Sequence, residues 1–509
     1  MTISRLSAGN GYAYYTSVTA SADQRRGKGE LGDYYLDTGT PPGQWVGRGA
    51  DVLGVNGQVT EEQMRALFGD GLHPNADEQI AALIEQGFSA KQAISAVRLG
   101  REFAHYNNPE VNELDAAIKT GITQRAAQLG RELDAAEAQA VRMQQAGIMF
   151  RDRHGRSGAR HEVARFMSQE LSKGQQPVAG FDLTFSAPKS LSVAWAVVDP
   201  EAAALLEQAH QNAIDKTLAW LEDEVIHTRS GAGGIALHKT TGLIATRFRH
   251  WESRDGDPQL HDHVVISNRV QAIGQGKWRT IDSKSLYKAT MNASSQYDKA
   301  LADELRRLGF DLRERSSGQY RAAELAIVSD RDIDRFSSRT VAIEARTTAL
   351  VAEYVAKHEH QPDTKTMLAL KQQATLETRT AKSQAVTRDQ LRGLWREQMG
   401  HPSEQLRRDV ADIIARTPAT VELAVDVEAI ARQIVDEVSQ RRSSWDRNHV
   451  ETRVNIWART QPGVINDNTM SQILDVALHQ VSFPITPSTD LPSHAEILNP
   501  DGTSIYQPP

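Results

Sequence analysis

The chain has 509 residues, 39% of them hydrophobic and 24% charged, with a net charge of −7 and no cysteine. That length predicts roughly two to four domains with a real core, the missing cysteines exclude disulfides, thiol catalysis and cysteine-ligated zinc, and no apolar run approaches the about eighteen residues of a membrane span. The opening MTISRLSAGNGYAYY lacks the apolar stretch of a secretory signal, so the cytoplasm is the expected location, and an acidic total argues against wholesale coating by nucleic acid while leaving room for a local basic cleft.

Residues 1–72 read as short elements, with many glycines, two tyrosine pairs and a turn at 39–43. From 73 to about 165 the pattern is helical. Ile80, Ala81, Leu83 and Ile84 line one side of a helix over 77–87, Ala93, Ile94 and Val97 do so over 89–100, and Pro109 opens one long helix to about 147. Strict alternation over 181–186 predicts a strand with Asp182, Thr184 and Ser186 on one face and Phe181, Leu183 and Phe185 on the other. Asp199-Pro200-Glu201 starts a helix striped by Leu205, Leu206, Ala209, Ala213, Leu218 and Leu221. A hairpin near 243–266, a short strand at 276–281 and an amphipathic helix over 287–308 follow. Beyond about 326 only helices are expected, to about 480, and the tail from Phe483 carries six of the eighteen prolines. The expected organisation is an α/β domain over 1–330 with a helical insertion at about 73–165, a helical region over 331–480, and a Pro-rich linker or disordered tail over 481–509.

The hairpin carries the strongest chemical signal, three histidines. Side chains alternate along a strand, so His261 and His263 point one way while Leu260, Asp262, Val264 and Ile266 point the other. His250 closes the run 243–248, and the polar stretch 251–259, with Asp255-Gly256-Asp257-Pro258, can turn the chain back and bring it beside them. His358 and His360 form a second His-x-His, but helical spacing there sets the two roughly 200° apart, which reads as surface. Three imidazoles leave open positions on a divalent cation, suited to Lewis-acid work on a phosphate or carbonyl oxygen. From 236 to 290 nine Lys/Arg face five Asp/Glu, so the hairpin lies in a basic neighbourhood.

With no cysteine and no Gly-x-Ser-x-Gly elbow, the tyrosines stand out: five of eleven fall in the first 35 residues, as Tyr12, Tyr14-Tyr15 and Tyr34-Tyr35. A tyrosine pair is commonly packing, one ring inside and one hydroxyl out. A phenol with a pKa of about 10 attacks at neutral pH only when a base takes its proton or a cation favours phenolate. Asp182 is either that base or a carboxylate that orients a histidine ligand through its second nitrogen.

Tyr14-Tyr15 with Tyr34-Tyr35, Trp45-Val-Gly-Arg-Gly-Ala50, Phe181-Asp-Leu-Thr-Phe-Ser-Ala-Pro-Lys-Ser190 and His250 with Leu260-His-Asp-His263 resemble, in that order, the landmarks of MobF-class conjugative relaxases, the TrwC/TraI-like relaxase-helicases. The resemblance covers about residues 1–330. It implies a palm-like HUH-type α/β domain with a central antiparallel sheet flanked by helices. It further implies metal-assisted attack by tyrosine on single-stranded plasmid DNA at the transfer origin, next to a hairpin, leaving a 5′-phosphotyrosyl adduct and a free 3′-hydroxyl. Tyr14 is then the first nucleophile and Tyr34 the second, with Tyr15 and Tyr35 as their pair partners, Asp182 the carboxylate near nucleophile and histidine, and His250, His261 and His263 the ligands of one divalent ion, Mg or Mn with Zn as the other choice. Implied partners are relaxosome accessory proteins and a type IV secretion coupling protein.

The spacing from Tyr15 to Tyr34 is longer than the family's, which leaves open which tyrosine of each pair attacks. The helical stretch 73–165 looks like an insertion. No Gly-x-x-x-x-Gly-Lys-Ser/Thr occurs, so no ATPase activity is expected, and the chain reads as a fragment ending in the connector to a helicase. A rolling-circle replication initiator and a non-catalytic DNA-binding module are the competing readings.

Overall fold

The computed structural model describes residues 1–13, 15, 42–103, 109–129, 131, 133, 135–173, 177–253, 255–317, 320–378, 387–416 and 422–483. Tyr14, Tyr34, Tyr35 and residues 484–509 of the Pro-rich tail therefore lie outside the described residues. In chain order the first strands are β1 (Thr2–Ser7), β2 (Gln44–Val46), β3 (Val178–Ser186), β4 (His227–Ser230), β5 (Ala236–Lys239), β6 (Ala245–Glu252) and β7 (Pro258–Ser267). Strands β4 and β5 form a two-stranded hairpin, while the other five build one antiparallel sheet in the order β1-β3-β7-β6-β2. The fold is mixed α/β with a central antiparallel sheet flanked by helices, as the family resemblance implies.

Alternation assigns the two faces. Phe181, Leu183 and Phe185 of β3 join Leu260, Val264 and Ile266 of β7 in one core, closed over by helices Lys189–Val197, Pro200–Glu224 and Ser283–Arg307 through Trp195, Leu206, Leu218, Tyr297 and Leu301. Each such side chain, once fully buried, contributes about 1.5–3 kcal/mol. On the opposite face Ala179, Ile244, Phe248 and Val265 meet Tyr12, Tyr15, Trp45, Met64, Phe68 and Phe103. The Trp45–Ala50 landmark explains itself here. Gly49 donates its N–H to the Leu243 carbonyl at 2.8 Å, and a Cβ on Gly47 or Gly49 would run into that same oxygen, at 2.4 and 2.8 Å. The two glycines permit backbone to lie on backbone where the chain enters β6.

The single helix expected over 109–147 is instead two, Pro109–Leu129 and Ala135–His154, followed by Arg160–Lys173. Leu114, Ile118, Ala146, Phe150, Val163 and Phe166 make a small core of their own among these three. One straight helix would leave those side chains in water, whereas two helices, the first ending at Leu129 and the second starting at Ala135, bury them. The strand expected over 276–281 shrinks to β9 (Trp278–Arg279), which pairs with β8 (Val270–Gln271). A further hairpin, β10 (Leu312–Ser317) with β11 (Tyr320–Leu325), closes the strand-bearing part.

The main core does not stop at residue 330. Leu391, Trp395 and Met399 of helix Arg388–Met399, with Leu406 and Val410 of helix His401–Ala415, belong to the same buried cluster as β3 and β7. Helix Lys189–Val197 is buried on every side from Ser190 onward, so its last carbonyls need partners. Arg396 supplies them, from Nε to Val197 O at 3.0 Å and from Nη2 to Val198 O at 2.7 Å, and Arg392 donates to Val198 O as well. The last three helices, Val427–Ser439, Arg447–Thr460 and Asp467–His479, share a separate core and dock on Ser283–Arg307 through polar contacts such as Asn292 to Glu451 at 2.9 Å.

Candidate metal centre

The sheet register puts the histidines together. His250 of β6 lies opposite His261 of β7, which lies opposite Ser186 of β3; one row along, Phe248, His263 and Thr184 are in line. Directly opposite residues share a face, as do residues two apart on one strand, so all three imidazoles stand on the side away from the long helices. Ring centroids are 5.2 Å apart for His250–His261, 5.1 Å for His250–His263 and 5.3 Å for His261–His263. One ring nitrogen from each can be chosen so that all three lie within 4.8 Å of one another. His358 and His360 are exposed, as expected, 6.1 Å apart by ring centroid at the end of helix Ser338–His358.

Hydrogen bonds set the tautomers. His261 Nδ1 donates to the Gln259 carbonyl at 2.8 Å, and His263 Nδ1 to Asp182 Oδ2 at 2.8 Å. In both rings Nε2 is left as the lone-pair donor, the form a metal requires. Burial also pulls the His261 pKa down to about 4, which keeps that ring neutral at physiological pH. This donor set fits a divalent cation.

Asp182, buried on β3 one row beyond Thr184, has its Oδ2 on His263 Nδ1, where it can orient that ring. Its Oδ1 is buried with no hydrogen-bond partner among the described residues. Thr184 Oγ1 lies 3.4 Å from both Asp182 Oδ2 and His263 Nδ1 and completes the support. Asp182→Asn should weaken metal affinity by about 10- to 100-fold, because an amide cannot accept the Nδ1–H charge-assisted bond as strongly; titration calorimetry with Mn²⁺ or Zn²⁺ measures it, and unchanged affinity would leave Asp182 without an orienting role.

Tyr15 is the one member of the two tyrosine pairs within the described residues. Its ring is buried, stacked on Phe248 at 5.7 Å and edge-on to His263 at 5.7 Å. The Tyr15 ring thus borders the histidine cluster.

Two groups of residues at the hairpin escape sequence reading. Lys189, inside the Ser-Ala-Pro-Lys-Ser landmark, donates to the Pro258 carbonyl at the start of β7 at 2.9 Å, and burial lowers its pKa to about 8. The β6–β7 turn is also gripped from beyond residue 330: Trp395 Nε1 donates to Gly256 O at 2.8 Å, and Asp257 accepts from Ser338 N at 2.8 Å at the start of helix Ser338–His358. The lysine had a motif to flag it. The other contacts join residues more than 80 positions apart and leave no local pattern.

The chain is similar to several known proteins. Two curated relatives, both the multifunctional conjugation protein TraI of Escherichia coli, are 30% identical over 215 residues, 38% of this chain and 12% of that protein, and, for strain K12, 32% identical over 153 residues, 28% of this chain and 8% of that protein. The matched part is thus a small fraction of those relatives' length. Among solved structures, the conjugative relaxase TrwC in complex with oriT DNA, metal-bound, is 24% identical with a TM-score of 0.45, covering 80% of this chain and 98% of that one. TrwC complexed with a 27-mer DNA comprising the recognition hairpin and the cleavage site is 23% identical with a TM-score of 0.42 and the same coverage. The profile of the TrwC relaxase family matches residues 8–401, more than three quarters of the chain and inclusive of every landmark above, and the chain belongs to that family, the MobF class of conjugative relaxases.

Proposed function

We propose that this chain nicks single-stranded plasmid DNA at a transfer origin by tyrosine transesterification and later rejoins the strands. The observation that carries the reading is the packing of Tyr15 against His263, within a three-histidine cluster oriented by Asp182. Tyr14, one residue before, is the nucleophile we assign. Its oxygen forms a bond to the scissile phosphorus as the bond to the 3′ oxygen breaks, giving a 5′-phosphotyrosyl adduct and, after protonation from solvent, a 3′-hydroxyl. Asp182 Oδ1 is the acceptor we assign for the phenol proton. The ester formed keeps about the energy of the one lost, so the step runs backward to rejoin strands, and Tyr34 can cut again while Tyr14 is occupied.

His250, His261 and His263 would hold one divalent cation, which when bound offsets charge on the phosphate oxygens. Three imidazoles with no carboxylate oxygen favour Mn or Zn over Mg. The Lys/Arg excess over 236–290 supports a strand lying beside the hairpin. The TraI likeness favours conjugation over a rolling-circle initiator, with accessory proteins and a coupling protein as the matching partners.

The test is cleavage of an origin oligonucleotide carrying its hairpin. Single strands should be cut with Mn²⁺ present and not with chelator, without ATP, while blunt duplex is spared. Equal cutting of duplex would point to a duplex nuclease, and binding with no cutting to a DNA-binding module.

A further inference from the structure

Behind the three histidines, on the helix-covered face of the sheet, lies a buried charged pair. Arg249 of β6 sits directly opposite Asp262 of β7. The guanidinium grips the carboxylate with two bonds, Nε to Oδ1 at 2.9 Å and Nη2 to Oδ2 at 3.0 Å, and the side chains are 7% and 0% exposed. Helix Pro200–Glu224 meets the pair with Glu207, 3.3 Å from Arg249 Nη1, and His210, whose Nε2 is 3.3 Å from Asp262 Oδ1 and whose Nδ1 shares a hydrogen bond with Tyr297 at 2.8 Å. Asp262 stands between His261 and His263, and Arg249 next to His250.

We infer that the Arg249–Asp262 pair is the register clamp of the metal hairpin, a positioning device that fixes His250 opposite His261. The inference rests on the metal reading of the three histidines. A slip of one residue would turn the histidines into the core and the charged pair outward. A slip of two keeps the faces but separates the charges. In one direction Asp262 would meet Arg247 while Arg249 faced Leu260; in the other Arg249 would face Val264 and Asp262 would face Trp251. Every two-residue slip therefore leaves Arg249 opposite an apolar residue, with its buried charge stripped of the two-pronged carboxylate partner across the ladder. The clamp also lies where the ladder needs it, because the β6–β7 register becomes irregular immediately past His250, between His250 and Glu252. Hydrophobic side chains on either strand do not discriminate in this way, since one aliphatic partner replaces another at little cost.

The experiment compares the full chain with Arg249→Met/Asp262→Leu, which removes both charges without leaving either alone, and with Val264→Ala, which loosens the same buried face without touching the pair. If the double variant does not fold, Arg249→Lys, which keeps the charge but not the two-pronged grip, takes its place. Two readouts are needed: amide hydrogen exchange of the hairpin in metal-free protein, and Mn²⁺ or Zn²⁺ affinity by calorimetry. The charge-free variant should exchange at least tenfold faster at 261–263 and bind metal at least tenfold more weakly, while Val264→Ala lowers Tm and leaves both readouts within about twofold. Wild-type exchange and affinity in a folded clamp variant, or equal losses in Val264→Ala, would overturn the clamp. Absence of metal binding in the wild type would instead sink the metal reading, and the exchange data would still decide whether the pair sets the register.

Discussion

Tyr14→Phe should abolish the covalent protein–DNA adduct and lower the nicking rate by roughly 10³-fold or more, while the variant folds and binds the origin strand as the wild type does. The substitution removes one oxygen and no packing volume. Loss of a nucleophile takes away the bond-forming partner itself, an effect far above that of a single lost hydrogen bond. Tyr15→Phe provides the contrast. The Tyr15 ring is buried between Phe248 and His263, and phenylalanine preserves those ring contacts, so most activity should remain. Tyr15→Ala should do worse than Tyr15→Phe, since it empties a site beside a histidine and costs about 3–5 kcal/mol of packing. Trapping the adduct on a suicide oligonucleotide and mapping the modified peptide decides the matter: an adduct on Tyr15 or Tyr34 in the first cleavage would overturn the assignment of Tyr14.

What could be read from the sequence was governed by period. Alternation put Asp182, Thr184 and Ser186 on one face of their strand and His261 and His263 on one face of theirs, with Asp262 among the aliphatics; the structure keeps both divisions, and the β3–β7 pairing makes the two polar faces one. The Asp199-Pro200 helix start is also where the sequence puts it. Helix Lys189–Val197 could not be recognised in the same way. Leu191-Ser-Val-Ala-Trp-Ala-Val-Val198 has no polar face, because helices from beyond residue 330 cover the side that solvent would otherwise hold, and an element apolar all round shows no amphipathic period. The same long-range packing explains why 388–415 reads as an appendage in sequence yet contributes Trp395 and Val410 to the central core. The division into helices Pro109–Leu129 and Ala135–His154 is hidden for the opposite reason: the Ala/Glu/Gln/Arg-rich run satisfies helix propensity throughout, and only the burial of Phe150 with Phe166 and Leu114 favours two helices over one. Arg249 counted in the sequence as one of nine basic residues near the hairpin. Its pairing with Asp262 became visible only once the register was known.

Replacing His261 by Ala should weaken divalent-metal affinity by at least about 100-fold, and the His250/His261/His263 triple alanine variant should bind no metal stoichiometrically. A direct ligand matters more than a residue that merely orients one, for which losses of about 10- to 100-fold are usual. The three rings are nearly equidistant, with centroids 5.1 to 5.3 Å apart, so removal of His261 opens the triangle at one corner. Origin-strand binding should nevertheless persist within a fewfold, because phosphate contacts by lysine and arginine supply most of such affinity. The two effects are separable in one preparation, calorimetry reading the metal and fluorescence anisotropy the DNA. Nicking should fall with the metal and not with the DNA. Excess Mn²⁺ should restore part of the His261→Ala rate, since two imidazoles remain, that of His250 and the Asp182-oriented one of His263, and should restore none in the triple variant. If the triple variant retained wild-type metal stoichiometry, the cation would sit elsewhere in the chain, and the convergence of the three rings would have to be explained as packing against Tyr15 alone.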